Sequence, residues 1–224
     1  MNTTKHLMID CETLSLAPDA LIWEVGVVPF EVGFNENGFP VLTAEAGRRF
    51  VMNPEEIRDA GMPFDVSADT VQWTRKHRPA PEIQRYLDFI WTCYSGSQNG
   101  LAGEDWWPQE NLPVSSVLEL AAYLAANTEK GVPGTDTTTY IWCRNAAFDF
   151  PRIEYMLSKY GLKLPWHRRA QCDVYTAVNL NFVLGGELEL PAPRQESEHS
   201  ALADCYQQIA ELADALGAIL EQNK

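Results

Sequence analysis

The sequence predicts an α/β fold, and three stretches carry that reading. Leu7-Met8-Ile9-Asp10-Cys11-Glu12-Thr13 is an apolar run ending in two carboxylates. It has the form of a buried strand whose tip delivers both acids to one side, because side chains alternate with period two. Thr138–Cys143 is β-branched and aromatic, hence a strand, and runs through Arg144-Asn145-Ala146-Ala147-Phe148-Asp149-Phe150 into a helix carrying Ile153, Met156, Leu157 and Tyr160. Asp149 then falls at a strand-to-helix junction, where open α/β sheets put their ligands. Finally, Ser200 to Leu220 reads as a closing helix with Leu202, Ile209, Leu212, Leu216 and Leu220 as its apolar stripe.

The remaining elements follow in order. After the first strand, Ser15–Ala20 is a loop, and Leu21–Phe30 is rich in Ile, Val and Trp, as a strand should be. Asn35-Glu36-Asn37-Gly38 is turn chemistry, and Arg48–Met52 resumes an extended run, so two or three antiparallel strands are expected before residue 54. Asn53-Pro54 closes that section. Ser67 looks like the cap of a helix ending in Arg75-Lys76-His77-Arg78, the densest basic cluster. Cations at a helix C-terminus are commonly solvated dipole partners, and that reading is preferred over a phosphate-contacting patch.

A helix from Pro81 to about Tyr94 has Ile83, Leu87 and Ile90 on one face. Residues 95–113 are Gly-, Pro- and Trp-rich without period; Trp106-Trp107-Pro108 reads as a loop plug rather than a stacking platform. Val114–Asn127 is helical in period and Lys130–Gly134 breaks it. Gly161 ends the helix that follows Asp149, Arg168–Cys172 is a short strand, and Asp173 caps a helix reaching about Asn181. Leu184–Glu198 is a loop that leads directly to His199.

Composition limits what such a fold can serve. With 224 residues, 46% of them hydrophobic, the chain can bury one sizeable core, so a single domain spanning 1–224 is expected, with a helical and loop insertion around 54–138. No apolar run approaches the roughly 18 residues of a membrane span, and the first residues enter a strand without a signal-peptide segment. The expectation is a soluble, cytoplasmic protein. Five scattered cysteines, with no Cys-x-x-Cys pair, read as reduced, buried, small apolar residues. A net charge of −14 argues against broad electrostatic capture of nucleic acid. Four site acids holding two divalent cations would lower that only to about −10, so binding is expected to be short-range and metal-dependent.

Asp10, Glu12, Asp149 and Asp204 each sit where a strand tip or helix start can converge on one spot. Asp204 lies about 200° round its helix from Leu202, off the apolar stripe. Carboxylates suit hard ions such as Mg²⁺ or Mn²⁺, and a pair of ions roughly 3.5–4 Å apart can clamp both oxygens of a phosphodiester displacement. Alone, Glu12 would be a loop-exposed carboxylate, Asp149 an N-cap and His199 a surface residue; it is their joint register that argues for a site.

These residues also carry a resemblance. Ile9-Asp10-Cys11-Glu12-Thr13 resembles the first motif of the DEDDh branch of the DnaQ-like 3′–5′ exonucleases, Asn145-Ala146-Ala147-Phe148-Asp149 the second, and His199-Ser200-Ala201-Leu202-Ala203-Asp204 the third. The resemblance implies an RNase H-like fold, a mixed five-stranded sheet ordered 3-2-1-4-5 with helices on both faces. It implies two divalent cations, Mg²⁺ or Mn²⁺, with Asp10 bridging both, Glu12 and Asp204 on one, Asp149 supporting the other, and His199 as general base. A neutral imidazole near pH 7 suits that last role. By the same resemblance, Thr13 and Leu14 hold the terminal nucleotide, Leu14 against the base, while Asn145 and Phe148 shape the pocket. Trp73 either stacks a base or packs in the core. The implied partner is the 3′ end of single-stranded DNA or RNA. The Ile22-Trp23-Glu24-Val25-Gly26 strand and compact build resemble stand-alone enzymes of the ribonuclease AS and phage exonuclease A kind, which are often homodimers. Two other classes fit less well: a hydrolase of small nucleotides, which an acidic surface would suit, and a nucleic-acid-binding module on the same fold.

Overall fold

Period-two alternation in one strand divides the molecule into two cores. The computed structural model describes residues 4–61, 63–95, 112–131, 138–185 and 200–221. In strand β1 (Thr4–Thr13), Leu7, Ile9 and Cys11 enter one apolar cluster while Met8 enters the other, on the opposite face of the sheet. Asp10 and Glu12 share parity with Met8, as the sequence predicts.

Strand β2 (Ile22–Phe34) pairs antiparallel with β1 from Thr4↔Val32 to Glu12↔Glu24, with an irregularity between Glu12 and Thr13. Strands β3 (Pro40–Ala44) and β4 (Arg48–Val51) both pair with the other edge of β2. Beyond β1 lie β5 (Tyr140–Cys143) and then β6 (Gln171–Asp173), each parallel to its neighbour. The sheet is thus mixed and six-stranded, in the order β3-β2-β1-β5-β6 with β4 paired to β2. This departs from the expected five strands ordered 3-2-1-4-5, because two short strands share the edge of β2 where one was expected. Between them the Tyr206 hydroxyl accepts from Gly47 N–H at 2.8 Å and donates to the Glu45 carbonyl at 3.1 Å, holding the link from β3 to β4 against α7. The β2–β3 turn is the predicted one. Asn35 Oδ1 accepts from Asn37 and Phe39 N–H, and Gly38 has φ +78.

One face of the sheet carries α1 (Pro54–Asp59), α2 (Ala68–His77), α3 (Pro81–Ser95), α4 (Val117–Ala126) and α5 (Ala146–Lys159), whose apolar residues share a cluster with Leu7, Ile9 and Trp23. On α3, Ile83, Leu87 and Ile90 are buried as expected, joined by Tyr86 and Phe89. Helix α1 was not expected: Asn53 is an N-cap and Pro54 the first helical residue, a helix start where the dipeptide reads as a break. The opposite face carries α6 (Val174–Val183) and α7 (Ala201–Glu221), packed on Met8, Val28 and Phe30. The stripe of α7 runs through Ala201, Cys205, Ile209, Leu212 and Ala215; Leu202 and Leu216 are only part-buried and Leu220 is exposed. That face also buries Gln208 and Glu211. All five cysteines are free, with Cys11, Cys143 and Cys205 buried. Among the described residues, no helix is long and apolar enough to cross a membrane. The Trp106-Trp107-Pro108 and Leu184–Glu198 readings fall almost wholly outside the described residues.

Candidate active site

Each acid reaches the site from a different element. Asp10 and Glu12 come from the C-terminal end of β1; Asp149 from the first turn of α5, whose N-cap Asn145 accepts from Ala147 N–H at 3.2 Å; and Asp204 from the first turn of α7. Ser200 Oγ accepts from Ala203 N–H at 3.2 Å and so caps α7. One ligand oxygen from each of Asp10, Glu12 and Asp204 lies within 4.8 Å of the others, all three side chains being part-buried. Asp149 is buried, and after burial its charge is the strongest electrostatic influence on Asp10. His199 precedes α7 by two residues and lies outside the described residues.

Crowded carboxylates hold their protons. Burial, then the charges of Asp149, Glu12 and Asp204, push Asp10 well above the usual carboxylate range, against the hydrogen bond it takes from Gln208 Nε2 at 2.6 Å. Glu12 is pushed up to about 7 by burial and then by Glu24, with Arg78 opposing. Asp149 rises to about 7 because of burial, although it accepts from the Cys11 N–H and the Cys143 thiol. Repulsion of this kind is what a bound cation relieves. Among the described residues the donor set is carboxylate oxygen, which fits a hard divalent ion such as Mg²⁺ or Mn²⁺.

Around the acids is a polar frame that sequence reasoning missed. Glu24 stands opposite Glu12 in the β1–β2 register and is fully buried. Its Oε2 accepts from Arg49 Nη2 at 2.6 Å and Arg78 Nη2 at 3.0 Å, and its Oε1 from Ala201 N–H at 2.9 Å. One acid thus ties β2 to β4, to the residue after α2 and to the start of α7. Gly26 completes the docking, for a Cβ there would sit 2.3 Å from the Ala201 carbonyl group. On α7, Glu211 pairs with Arg144 beside the N-cap of α5. Arg152 donates to the Leu16 and Phe148 carbonyls and lies 3.5 Å over the Phe148 ring, fixing the loop after β1 against α5. Two signals were available: a glutamate inside an apolar strand must find partners, and Gln208 is one helical turn from Asp204.

The expected substrate residues divide. Asn145 is exposed, Phe148 part-buried and Thr13 turned to the Ser15 carbonyl at 2.8 Å. Leu14 is fully buried in the core, which leaves it no surface for a base; the exposed apolar side chain of that loop is Leu16, at 76%. That assignment came from the resemblance alone; in this chain the ladder is irregular between Glu12 and Thr13, and Leu14 turns into the core. Trp73 is 47% exposed and stacked on His77 at 4.2 Å, not a core residue. The basic cluster is no uniform solvated patch either: Lys76 is exposed and Arg75 pairs with Asp88, but His77 and Arg78 are buried.

A mixed sheet that gathers carboxylates at adjoining strand and helix ends defines a candidate site for divalent-ion chemistry. The chain belongs to the 3′–5′ exoribonuclease Rv2179c-like domain family, whose model matches residues 95–216, just over half its length. A comparison with curated protein sequences gives no match. The matched stretch holds Asp149 and Asp204, while Asp10 and Glu12 precede it and reach them only through the fold.

Proposed function

We propose that the protein is a metal-dependent exonuclease of the DEDDh type on an RNase H-like fold, removing nucleotides from the 3′ end of single-stranded RNA. The carrying observation is the meeting of Asp10, Glu12 and Asp204 within 4.8 Å, beside Asp149, in a chain of a 3′–5′ exoribonuclease family. Asp10, Glu12, Asp149 and Asp204 would hold two divalent cations, which when bound supply charge neutralisation at the phosphodiester and a more acidic water.

The chain's own groups do the rest. Gln208 fixes the Asp10 carboxylate, and the Glu24–Arg78 pair stands behind Glu12. Leu16 and Phe148, joined through Arg152, flank the terminal base, and Asn145 edges the same pocket. His199 takes the proton of the attacking water on a ring nitrogen, a role supported by its place two residues before α7. The domain extends over the whole chain, with α1–α4 as its insertion.

The test pairs 5′-labelled single-stranded RNA and DNA, with Mg²⁺ or Mn²⁺, against a free nucleoside triphosphate. A ladder shortened from the 3′ end of RNA is expected; turnover of the triphosphate alone would make the protein a small-nucleotide hydrolase, and retention without cleavage a binding module. Asp10→Ala is expected to abolish cleavage and Mn²⁺ binding in titration calorimetry. His199→Ala should keep Mn²⁺ binding and slow turnover about 10²-fold. If the histidine variant loses metal as fully as Asp10→Ala, the base assignment is wrong.

A further inference from the structure

The acidity of this chain is unevenly spread. It holds 31 acids against 17 Lys and Arg, yet between Glu154 and Asp173 there is no acid and there are four cations, Lys159, Lys163, Arg168 and Arg169. The turn from Gly161 to Ala170 presents most of them on a firm base. Leu164 and Trp166 are buried, Trp166 edge-on to Phe150 at 6.2 Å, while Lys163, His167, Arg168 and Arg169 between and after them are exposed. His167 accepts from Arg169 N–H at 3.1 Å, which fixes the turn in a short 3₁₀ helix.

This turn and the end of α5 enclose an open groove of about 540 Å³, lined by Glu154, Ser158, Gly161, Lys163, Trp166 and Arg168. Glu154, the one acid there, is paired with Arg168. The groove lies toward the far end of α5 from Asp149; Lys159, the last residue of the helix, is ten residues and so about 15 Å along the axis from that acid. The two ends are joined on the surface. Ala147, Pro151 and Ser158 are exposed and Glu154 part-buried at helical spacing; they form the outer face of α5, about 200° round the helix from buried Asp149, so a strand reaches the cations by crossing the N-terminal end of α5 and following that face.

From this geometry we infer that the 161–169 groove binds the upstream sugar-phosphate backbone of the single strand whose 3′ end lies at the acids. The inference rests on the exonuclease reading and adds the path of the strand. Lys163 would contact phosphates directly in the groove and Arg168 would do so while held by Glu154, with Arg169, exposed beside them in the turn, meeting the strand at the rim. Since Trp166 is buried, the groove offers charge and no stacking surface, so it reads backbone and not sequence. In a protein with net charge −14, it supplies the local attraction that the molecule as a whole does not.

The experiment compares wild type with Lys163→Ala/Arg169→Ala and with the triple variant that adds Arg168→Ala, after thermal melts show both folded. Binding is read by fluorescence anisotropy on a 3′-blocked RNA of about 12 nucleotides, and turnover on that length unblocked and on a dinucleotide. The triple variant is expected to bind the long strand about tenfold more weakly and to lose about 2 from the salt slope, at about 0.7 per cation removed. KM for the long strand should rise with kcat unchanged, and both constants for the dinucleotide should stay put. Unchanged long-strand affinity, or an equal loss on both lengths, would overturn the groove. If wild type degrades neither RNA, the exonuclease reading fails, and the blocked-strand binding still decides whether the groove takes the backbone.

Discussion

At the residue scale, the site is a set of acids that resist ionisation together. Glu12 and Asp149 are raised to about 7 and Asp10 well above its usual value, against roughly 4 for such groups in an unfolded chain. Above pH 4 the folded state therefore binds more protons than the unfolded one, and stability falls as pH rises towards and through 7. In EDTA the melting temperature should be higher at pH 5 than at pH 8. Mn²⁺ should raise it more at pH 8, where the carboxylates are free to bind; a metal-free protein that gains stability from pH 5 to pH 8 would refute the crowding. Gln208 is the complementary case. Gln208→Leu removes the donor to Asp10, and is expected to weaken Mn²⁺ binding in calorimetry by about 10–100-fold with little change in melting temperature. The acids were legible in the sequence because each ends or begins an element whose pattern is strong. Gln208, Glu24 and Arg78 were not, because what makes them matter is a partner 198, 177 or 54 residues away.

At the element scale, the position of α7 decides whether Asp204 meets Asp10. The helix start rests on the bare backbone of Gly26, with the Ala201 N–H on Glu24. Gly26→Ala would drive a methyl into that backbone at 2.3 Å, so α7 must move outward. The expected cost is about 1–3 kcal/mol in urea unfolding, with faster hydrogen exchange in the first turn of α7 and loss of cleavage. Unaltered exchange and activity would mean that the docking is not what aligns the two acids. Long periodic elements such as α3 and α5 were readable from their apolar spacing, and Asp173 from its cap, where it accepts from Thr176 N–H at 2.7 Å. Harder were β3, with a burial pattern of exposed and part-buried residues, and α1, only six residues long. Neither contains enough apolar repeats for a period to emerge. The stripe of α7 was misread for another reason: small residues, Ala201, Cys205 and Ala215, face the sheet while the larger Leu202, Leu216 and Leu220 turn partly outward. Close approach to β2 requires small side chains there, and a hydrophobicity count favours large ones.

At the scale of the whole molecule, a net charge of −14 acts against compactness by self-repulsion, and part of that charge is gathered at the site. The two parts respond differently to ions. Diffuse surface repulsion is screened by any salt within about 10 Å at 0.1 M, whereas the clustered acids need a cation held among them. Melting temperature in EDTA should therefore rise with NaCl, and MgCl₂ at matched ionic strength should raise it further. Asp10→Asn separates the terms, since it removes a carboxylate that a bound cation would need and leaves the acidic surface as it is: the NaCl increment should persist and the extra Mg²⁺ increment should shrink. Equal increments from the two salts in wild type would place the cation response on the surface as a whole, and the convergence of β1, α5 and α7 would then hold the acids together without making them a metal centre.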